Sequence, residues 1–170
     1  MQTASLAKYH PRLQGIFGPL SKPRLEYIWQ VLTQIDVELL RLAAHFGHNS
    51  AGWEKTGLEL SWAQSGQLFL GSFVGTTDPE SHAADFVVEL WPSWCHDEPR
   101  DTVEWIVAAT IEVDCQHQPD HSGMDTVFNR EQRRCQTPEQ AVEQLLLAAK
   151  DLLILAMEHP IDYWTSKTRS

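Results

Sequence analysis

Hydrophobic and polar residues alternate most regularly along residues 103–113. Apolar side chains occupy the odd positions, while polar or charged side chains such as Glu104, Thr110 and Glu112 occupy most of the even ones. Successive side chains of a β-strand point to opposite faces, so this pattern predicts a long strand with one dry face and one acidic face. We expect the odd-numbered side chains to be interior and the even-numbered ones to face outward.

The same period of two marks shorter segments on either side. Three of them predict strands at residues 58–62, 68–74 and 85–90, with a turn at residues 64–67. A weaker fifth strand is expected around residues 126–133. Segments that follow one another so closely favour antiparallel pairing in meander order.

A helical period replaces this alternation near the N-terminus. From Pro23 to Phe46 apolar residues recur every three or four positions, which predicts a helix that Gly47 ends. Residues 1–20 contain prolines and glycines without sustained periodicity, so an irregular arm is expected there. Residues 161–170 are expected to form a tail.

The C-terminal helix carries the best local signal. Thr137 as N-cap, Pro138 at the first helical position and Gln140 three residues after the cap form a capping-box sequence. Apolar residues extend most of the way round the helix that follows, so cover from more than one side is expected. The surplus apolar side consists of Leu147, Ile154 and Leu155.

These elements predict one α+β domain over residues 1–170. An antiparallel meander sheet of four to five strands should pack an N-terminal and a C-terminal helix on its dry face. A chain of 170 residues can bury about 70% of its unfolded surface around one core, so no metal or disulfide is required for folding.

Charge is concentrated in the strand-rich middle of the chain. Residues 51–114 contain 2 basic and 12 acidic residues, which gives −10 and equals the net charge of the whole chain, because the flanks contribute +2 and −2. Such an acidic sheet surface disfavours nucleic acid and anionic membranes as partners, since both require basic residues.

The cysteines indicate a reducing compartment. Cys95, Cys115 and Cys135 are an odd number, and residues 1–12 lack the apolar core of a signal peptide. The longest apolar stretch, residues 145–157, is interrupted by charges and too short to span about 30 Å of hydrocarbon. We therefore expect a soluble cytoplasmic protein.

The acidic strand face is the leading candidate site. If the third and fourth strands pair as a hairpin, apolar groups lie within a rim of carboxylates, as in a protein-recognition patch. The candidate residues are Asp85, Val87, Glu89, Trp91, Glu104, Ile106, Glu112 and Asp114. The expected partner is a basic protein. Alternatively the acids only keep the sheet soluble, while Val87 and Ile106 pack under the N-terminal arm.

An enzyme with a small-molecule pocket near Trp91 and Trp94 is a second hypothesis, with cysteine and histidine as metal ligands. Two separate groups could bind a metal: Cys95, His96 and Cys135, or Cys115, His117 and His121. Neither has the tight spacing of a strong metal signal, and neighbouring carboxylates disfavour a reactive thiolate. No catalytic residue, metal or cofactor is therefore expected.

In bulk composition the chain is similar to small acidic bacterial interaction proteins, such as toxin-neutralising immunity proteins and effector chaperones. That resemblance rests on size, acidity and the lack of catalytic motifs, and it implies a non-catalytic binding module or regulator. A third hypothesis is a structural subunit of a larger assembly. The surplus apolar side of the C-terminal helix could then form an interface, including that of a homodimer.

Overall fold

The computed structural model describes six segments of the chain. They are residues 6–46, 55–62, 68–77, 82–93, 104–114 and 123–168. The predicted turn at residues 64–67 and the helix-ending Gly47 lie outside these segments.

The strands form one antiparallel sheet. They are β1 (Lys55–Trp62), β2 (Leu68–Thr77), β3 (Ala83–Pro92), β4 (Trp105–Asp114), β5 (Met124–Asn129) and β6 (Arg133–Cys135). The first five are neighbours in chain order, and β6 also pairs with β4. The predicted α+β class and antiparallel meander are confirmed.

The last strand position is divided between β5 and β6. β5 pairs with residues 110–114 of β4, whereas β6 pairs with residues 105–107. Between them the Arg130 amide donates to the Ala109 carbonyl at 2.9 Å, and the register shifts between Ile111 and Glu112. The fifth strand expected around residues 126–133 is therefore interrupted. Its two pieces, β5 and β6, together extend two residues beyond the predicted range at each end.

The predicted alternation of the fourth strand is confirmed for its described part. Side chains at odd positions 105–113 are buried, whereas those at even positions are partly exposed except Ala108. Val103 lies outside the described residues. In β3 the alternation is equally regular, with Phe86, Val88 and Leu90 fully buried. The two strands therefore share one dry face and one open face.

In the described segments, four helices accompany the sheet. They are α1 (Leu6–Phe17), α2 (Lys22–His45), α3 (Pro138–Met157) and α4 (Ile161–Thr165), followed by a 3₁₀ turn (Ser166–Thr168). α2 packs over β1 and β2, and α3 packs over β3 and β4. The apolar stripes predicted for both helices line the core.

α2 and α3 lie side by side and run parallel. Arg24 forms a bidentate pair with Glu139, with N···O distances of 2.6 and 2.9 Å, and the Tyr27 hydroxyl donates to Glu143. Since the contacts advance in the same direction along both helices, their N-termini lie together. This Arg24 contact lowers the pKa of Glu139.

The irregular arm predicted for residues 1–20 is wrong over α1. Pro11 lies inside this helix, where it removes one backbone hydrogen bond, but tertiary contacts hold the second half. Leu13, Ile16 and Phe17 are buried, and the Trp105 indole donates to the Ile16 carbonyl at 3.1 Å. Packing against the dry face therefore overrides the weak local helix signal.

The tail predicted for residues 161–170 is also wrong where it is described. α4 and the 3₁₀ turn cover residues 161–168, and the Trp164 side chain is buried. Trp164 meets Phe86 edge-on, with ring centroids 6.2 Å apart. Burial of a large aromatic side chain explains why this short segment is ordered against the sheet.

The N-terminus of α3 is capped as its sequence predicts, with one variation. The Thr137 hydroxyl accepts a hydrogen bond from the Gln140 amide at 3.2 Å. The Gln140 side chain accepts from the Gln136 amide at 3.2 Å, one residue before the amide of the usual capping box. The backbone amides of Gln136 and Gln140 thus each have a hydrogen-bond acceptor.

We predict that Thr137→Ala lowers the free energy of unfolding by about 1 kcal/mol, since it removes a side-chain cap. The matched control is Ser21→Ala at the N-cap of α2, where the serine side chain makes no capping hydrogen bond. Urea denaturation of both variants measures the difference. Equal losses in the two variants would show that the cap hydrogen bond does not stabilise α3.

Candidate functional site

Pairing of β3 with β4 brings the predicted site residues onto one face of the sheet. In register, Asp85 faces Glu112, Val87 faces Thr110, Glu89 faces Ala108 and Trp91 faces Ile106. Each of these β3 residues alternates with a buried neighbour, because the side-chain period of a strand is two. We call this surface of β3 and β4 the open face.

The middle of the open face is apolar. Val87, Trp91 and Ile106 are partly exposed, and Ala108 between them is only 7% exposed. Thr110 adds a hydroxyl to this face, as the alternation predicted, although it was not among the candidate site residues. Partly exposed apolar groups around small side chains provide a shallow surface that a partner can bury.

Glu104 is held at one end of the open face. Its carboxylate accepts hydrogen bonds from the Arg134 guanidinium at 2.9 Å and from the side-chain amide of Gln136 at 2.6 Å. These two hydrogen bonds lower the pKa of Glu104. The backbone also fixes its position, since the Ser93 amide donates to the Glu104 carbonyl at 2.7 Å and the Glu104 amide donates to the Ser93 hydroxyl at 3.1 Å.

Arg134 and Gln136 were not among the predicted site residues. Arg134 faces Ile106 in the register of β6 with β4, so a basic group borders the apolar middle. The adjacent arginines at positions 133 and 134 were a visible signal, but their place depends on the return of β6 beside the first half of β4. The predicted rim is therefore not uniformly acidic.

Asp85, Glu112 and Asp114 mark the opposite end. Asp114 accepts from the Ala83 amide at 2.6 Å, and Glu112 accepts from the Thr110 hydroxyl at 3.2 Å. Asp85 and Glu112 are cross-strand neighbours, an arrangement of like charges that normally destabilises a sheet. At about 3.3 Å per residue, Asp114 lies about 33 Å from Glu104, so the two belong to separate parts of the face.

Glu89 lies between these two ends. Its carboxylate has neither a hydrogen bond nor an ion pair with any described residue. Burial and, to a smaller extent, the negative charge of Glu112 raise the pKa of Glu89. A carboxylate that is partly buried without a counterion favours binding of a positively charged group, because such a group offsets the unfavourable desolvation.

The helices do not cover the open face in the described part of the chain. α1 packs on the dry side, where the Phe17 and Trp105 rings have centroids 6.1 Å apart. Val87 and Ile106 are therefore not packed under residues 6–17, and the alternative in which the arm covers them is wrong for that segment. The face is open to a partner as far as it is described.

The alternative metal and pocket residues fall mostly outside the described segments. These are Trp94, Cys95, His96, Cys115, His117 and His121. Within the described segments there is no group of three metal-ligating side chains. Cys135 is described and faces Trp105 in register. It is buried among core residues, and burial raises the pKa of its thiol.

Comparison of the chain with protein-family models, with curated proteins and with solved structures gives no match. Across the described segments, no helix combines the length and the apolar character needed to cross a membrane. The open face is therefore the feature from which a function can be inferred.

We predict that Glu89→Gln becomes more stable relative to the wild type as pH rises from about 4 to about 7. The folded protein holds the Glu89 proton more tightly than the unfolded chain does, so the contribution of Glu89 to stability falls as pH rises above 4.5, the ordinary carboxyl value. Glutamine removes this dependence. Thermal unfolding at both pH values measures the change.

Carbon NMR of the carboxyl groups tests the cause. Glu112→Gln should bring the pKa of Glu89 closer to its ordinary value, whereas Glu158→Gln at the C-cap of α3 should not. A Glu89 carboxyl that titrates at or below the ordinary value in the wild type would contradict the burial argument.

Proposed function

We propose that the chain is a non-catalytic protein-binding module that recognises a basic protein through the open face. The observation that carries this proposal is the partly buried Glu89, which has no counterion among the described residues, on the same face as the like-charged pair Asp85 and Glu112. A positively charged group that binds here reduces the repulsion among these carboxylates, so their arrangement favours a basic partner.

The apolar middle supports the same function. Val87, Trp91 and Ile106 are partly exposed next to these carboxylates, and exposed aromatic and branched side chains are typical anchors of protein interfaces. Apolar contact supplies affinity, while the carboxylates supply attraction at long range and the choice of partner. A complementary partner therefore carries Lys or Arg next to apolar side chains.

The proposal also assigns unequal roles to the acidic residues. Glu104 is already compensated by Arg134, and Asp114 is bonded to the backbone of β3. Glu89 and Glu112 make fewer contacts that would be lost on binding. We therefore expect the partner's basic groups to engage the part of the face between Glu89 and Asp85.

We predict that Glu89→Lys combined with Glu112→Lys abolishes binding of a short peptide of alternating arginine and leucine residues. Calorimetry should show wild-type binding that weakens strongly between about 50 and 200 mM salt, since screening shortens the range of charge interactions. The peptide with glutamine in place of arginine should bind at least about tenfold more weakly.

The matched control is Glu26→Lys combined with Glu158→Lys. Glu26 is exposed on α2 and Glu158 is exposed at the C-cap of α3, both on the other side of the sheet, and the change in net charge is the same. Binding by this control together with loss in the face variant supports the proposal. Equal loss in both variants would mean that net charge, and not the open face, attracts the peptide.

We predict that Arg134→Gln strengthens binding of the same peptide a few-fold, because it frees the Glu104 carboxylate from its ion pair and adds it to the face. Arg41→Gln provides the control, since Arg41 pairs with Glu38 on α2 and the net charge changes equally. Calorimetry at low salt compares the two variants. Unchanged affinity in Arg134→Gln would exclude Glu104 from the binding surface.

A further inference from the structure

The open face is lowest around Glu89. In the register of the sheet, Glu89 faces Gly71 of β2 on one side and Ala108 of β4 on the other. Directly opposed residues project to the same face of a sheet, and here they offer no side chain and a methyl group. The rows before and after carry larger, partly exposed side chains, which are Val87 with Thr110 and Trp91 with Ile106. Glu89 therefore lies in a depression of the described sheet, which we call the Glu89 depression.

The glycine at position 71 is not explained by the backbone of β2. A glycine inside a strand costs about 0.5–1 kcal/mol relative to alanine, and it often marks a bulge or a place where another group approaches closely. The register of β2 advances residue by residue with β1 from 68 to 75 and with β3 from 70 to 77. This regular pairing excludes a bulge at Gly71 and favours the close approach of another group.

A second carboxylate is directed towards the Glu89 depression. The Thr110 hydroxyl donates to Glu112 at 3.2 Å. Thr110 lies between Glu112 and Ala108 on this face of β4, so the hydrogen bond turns the Glu112 carboxylate towards Glu89. The negative charge of Glu112 accordingly contributes to the raised pKa of Glu89. The two carboxylates therefore flank the space above Val87.

The dimensions of this space favour a guanidinium over an ammonium group. At about 3.3 Å per residue, the rows of Glu89 and Glu112 lie about 13 Å apart, so a group that contacts both carboxylates must present donors in more than one direction. A guanidinium is flat and carries five N–H donors, whereas the lysine ammonium is a compact, strongly hydrated charge. The apolar stem of an arginine can then lie over Gly71 beside Trp91, where its methylene groups leave water.

We propose that the Glu89 depression is a subsite for one arginine side chain of the partner. The guanidinium lies between Glu89 and Glu112, and the stem crosses the sheet over Gly71. The occupant is identified by charge complementarity, since the Glu89 carboxylate has no counterion among the described residues. The inference rests on the proposed function and adds a chemical choice to it, because lysine at the same point of the partner cannot bridge the two carboxylates.

Two peptides that differ only in their basic residue test this choice. One alternates arginine with leucine, and the other alternates lysine with leucine, so their charge and their apolar content are alike. Calorimetry at low salt should show that the wild type binds the arginine peptide at least about tenfold more tightly, since lysine cannot form the paired hydrogen bonds of a guanidinium.

The outcomes distinguish this inference from the proposed function. Equal affinities for the two peptides overturn the arginine subsite and leave the open face as a surface for basic partners. A wild type that binds neither peptide removes the proposed function, and the subsite with it.

Gly71→Val tests whether the preference arises in the Glu89 depression. Valine suits a strand and occupies the space of the arginine stem. The variant should prefer arginine by about twofold or less while it still binds the lysine peptide, because only one of the two affinities is affected. The control is Gly57→Val on β1, since Gly57 faces Phe73 and not Gly71. Loss of the preference in both folded variants, or in neither, overturns the subsite. Circular dichroism shows whether each variant is folded.

Thr110→Val decides the question if Gly71→Val does not fold. This change keeps the shape of the side chain and the net charge, and it removes the hydrogen bond that directs Glu112. The affinity for the arginine peptide should fall a few-fold, whereas the affinity for the lysine peptide should stay the same. Unchanged affinity for both peptides, or an equal loss for both, overturns the bridge between the two carboxylates.

Discussion

Four side chains of β4 project into the layer between the sheet and the helices. Val107, Ala109, Ile111 and Val113 are at most 1% exposed, and full burial of a side chain such as Val or Ile stabilises the fold by about 1.5–3 kcal/mol. A shift of one residue would expose this set and bury Glu112 in its place. The fold therefore depends on this register, which also decides the place of every charged residue on β3 and β4.

The acidity of the open face follows from that constraint. Every second residue of β3 and β4 points to the dry face. The charged residues at the alternate positions must therefore share the other face, even though they repel one another. At the two ends of the face the carboxylates accept hydrogen bonds: Glu104 from the Arg134 guanidinium, and Asp114 from the Ala83 backbone amide. In between, Glu89 keeps a raised pKa without a described counterion. This contrast is the reason for proposing that the open face binds a partner.

The sequence determined the elements whose signals are local. The period of two along β4, the apolar period of α2 and the Thr137 cap of α3 were sufficient, since each reflects contacts within a few residues or a fixed side-chain direction. They also placed the eight predicted site residues on one face. The basic group beside Glu104 was not predictable in this way, because β6 meets β4 only after the chain has returned through β5.

Tertiary structure decided the segments whose local signals are weak. α1 contains Pro11, and its second half is held by contacts with Trp105 across 89 residues of sequence. α4 is short, and burial of Trp164 against Phe86 stabilises it. The side of α3 that remains exposed was likewise decided by packing, since the sequence is apolar most of the way round. Local sequence fixes period and caps, whereas distant contacts decide which weak elements form and which apolar faces stay uncovered.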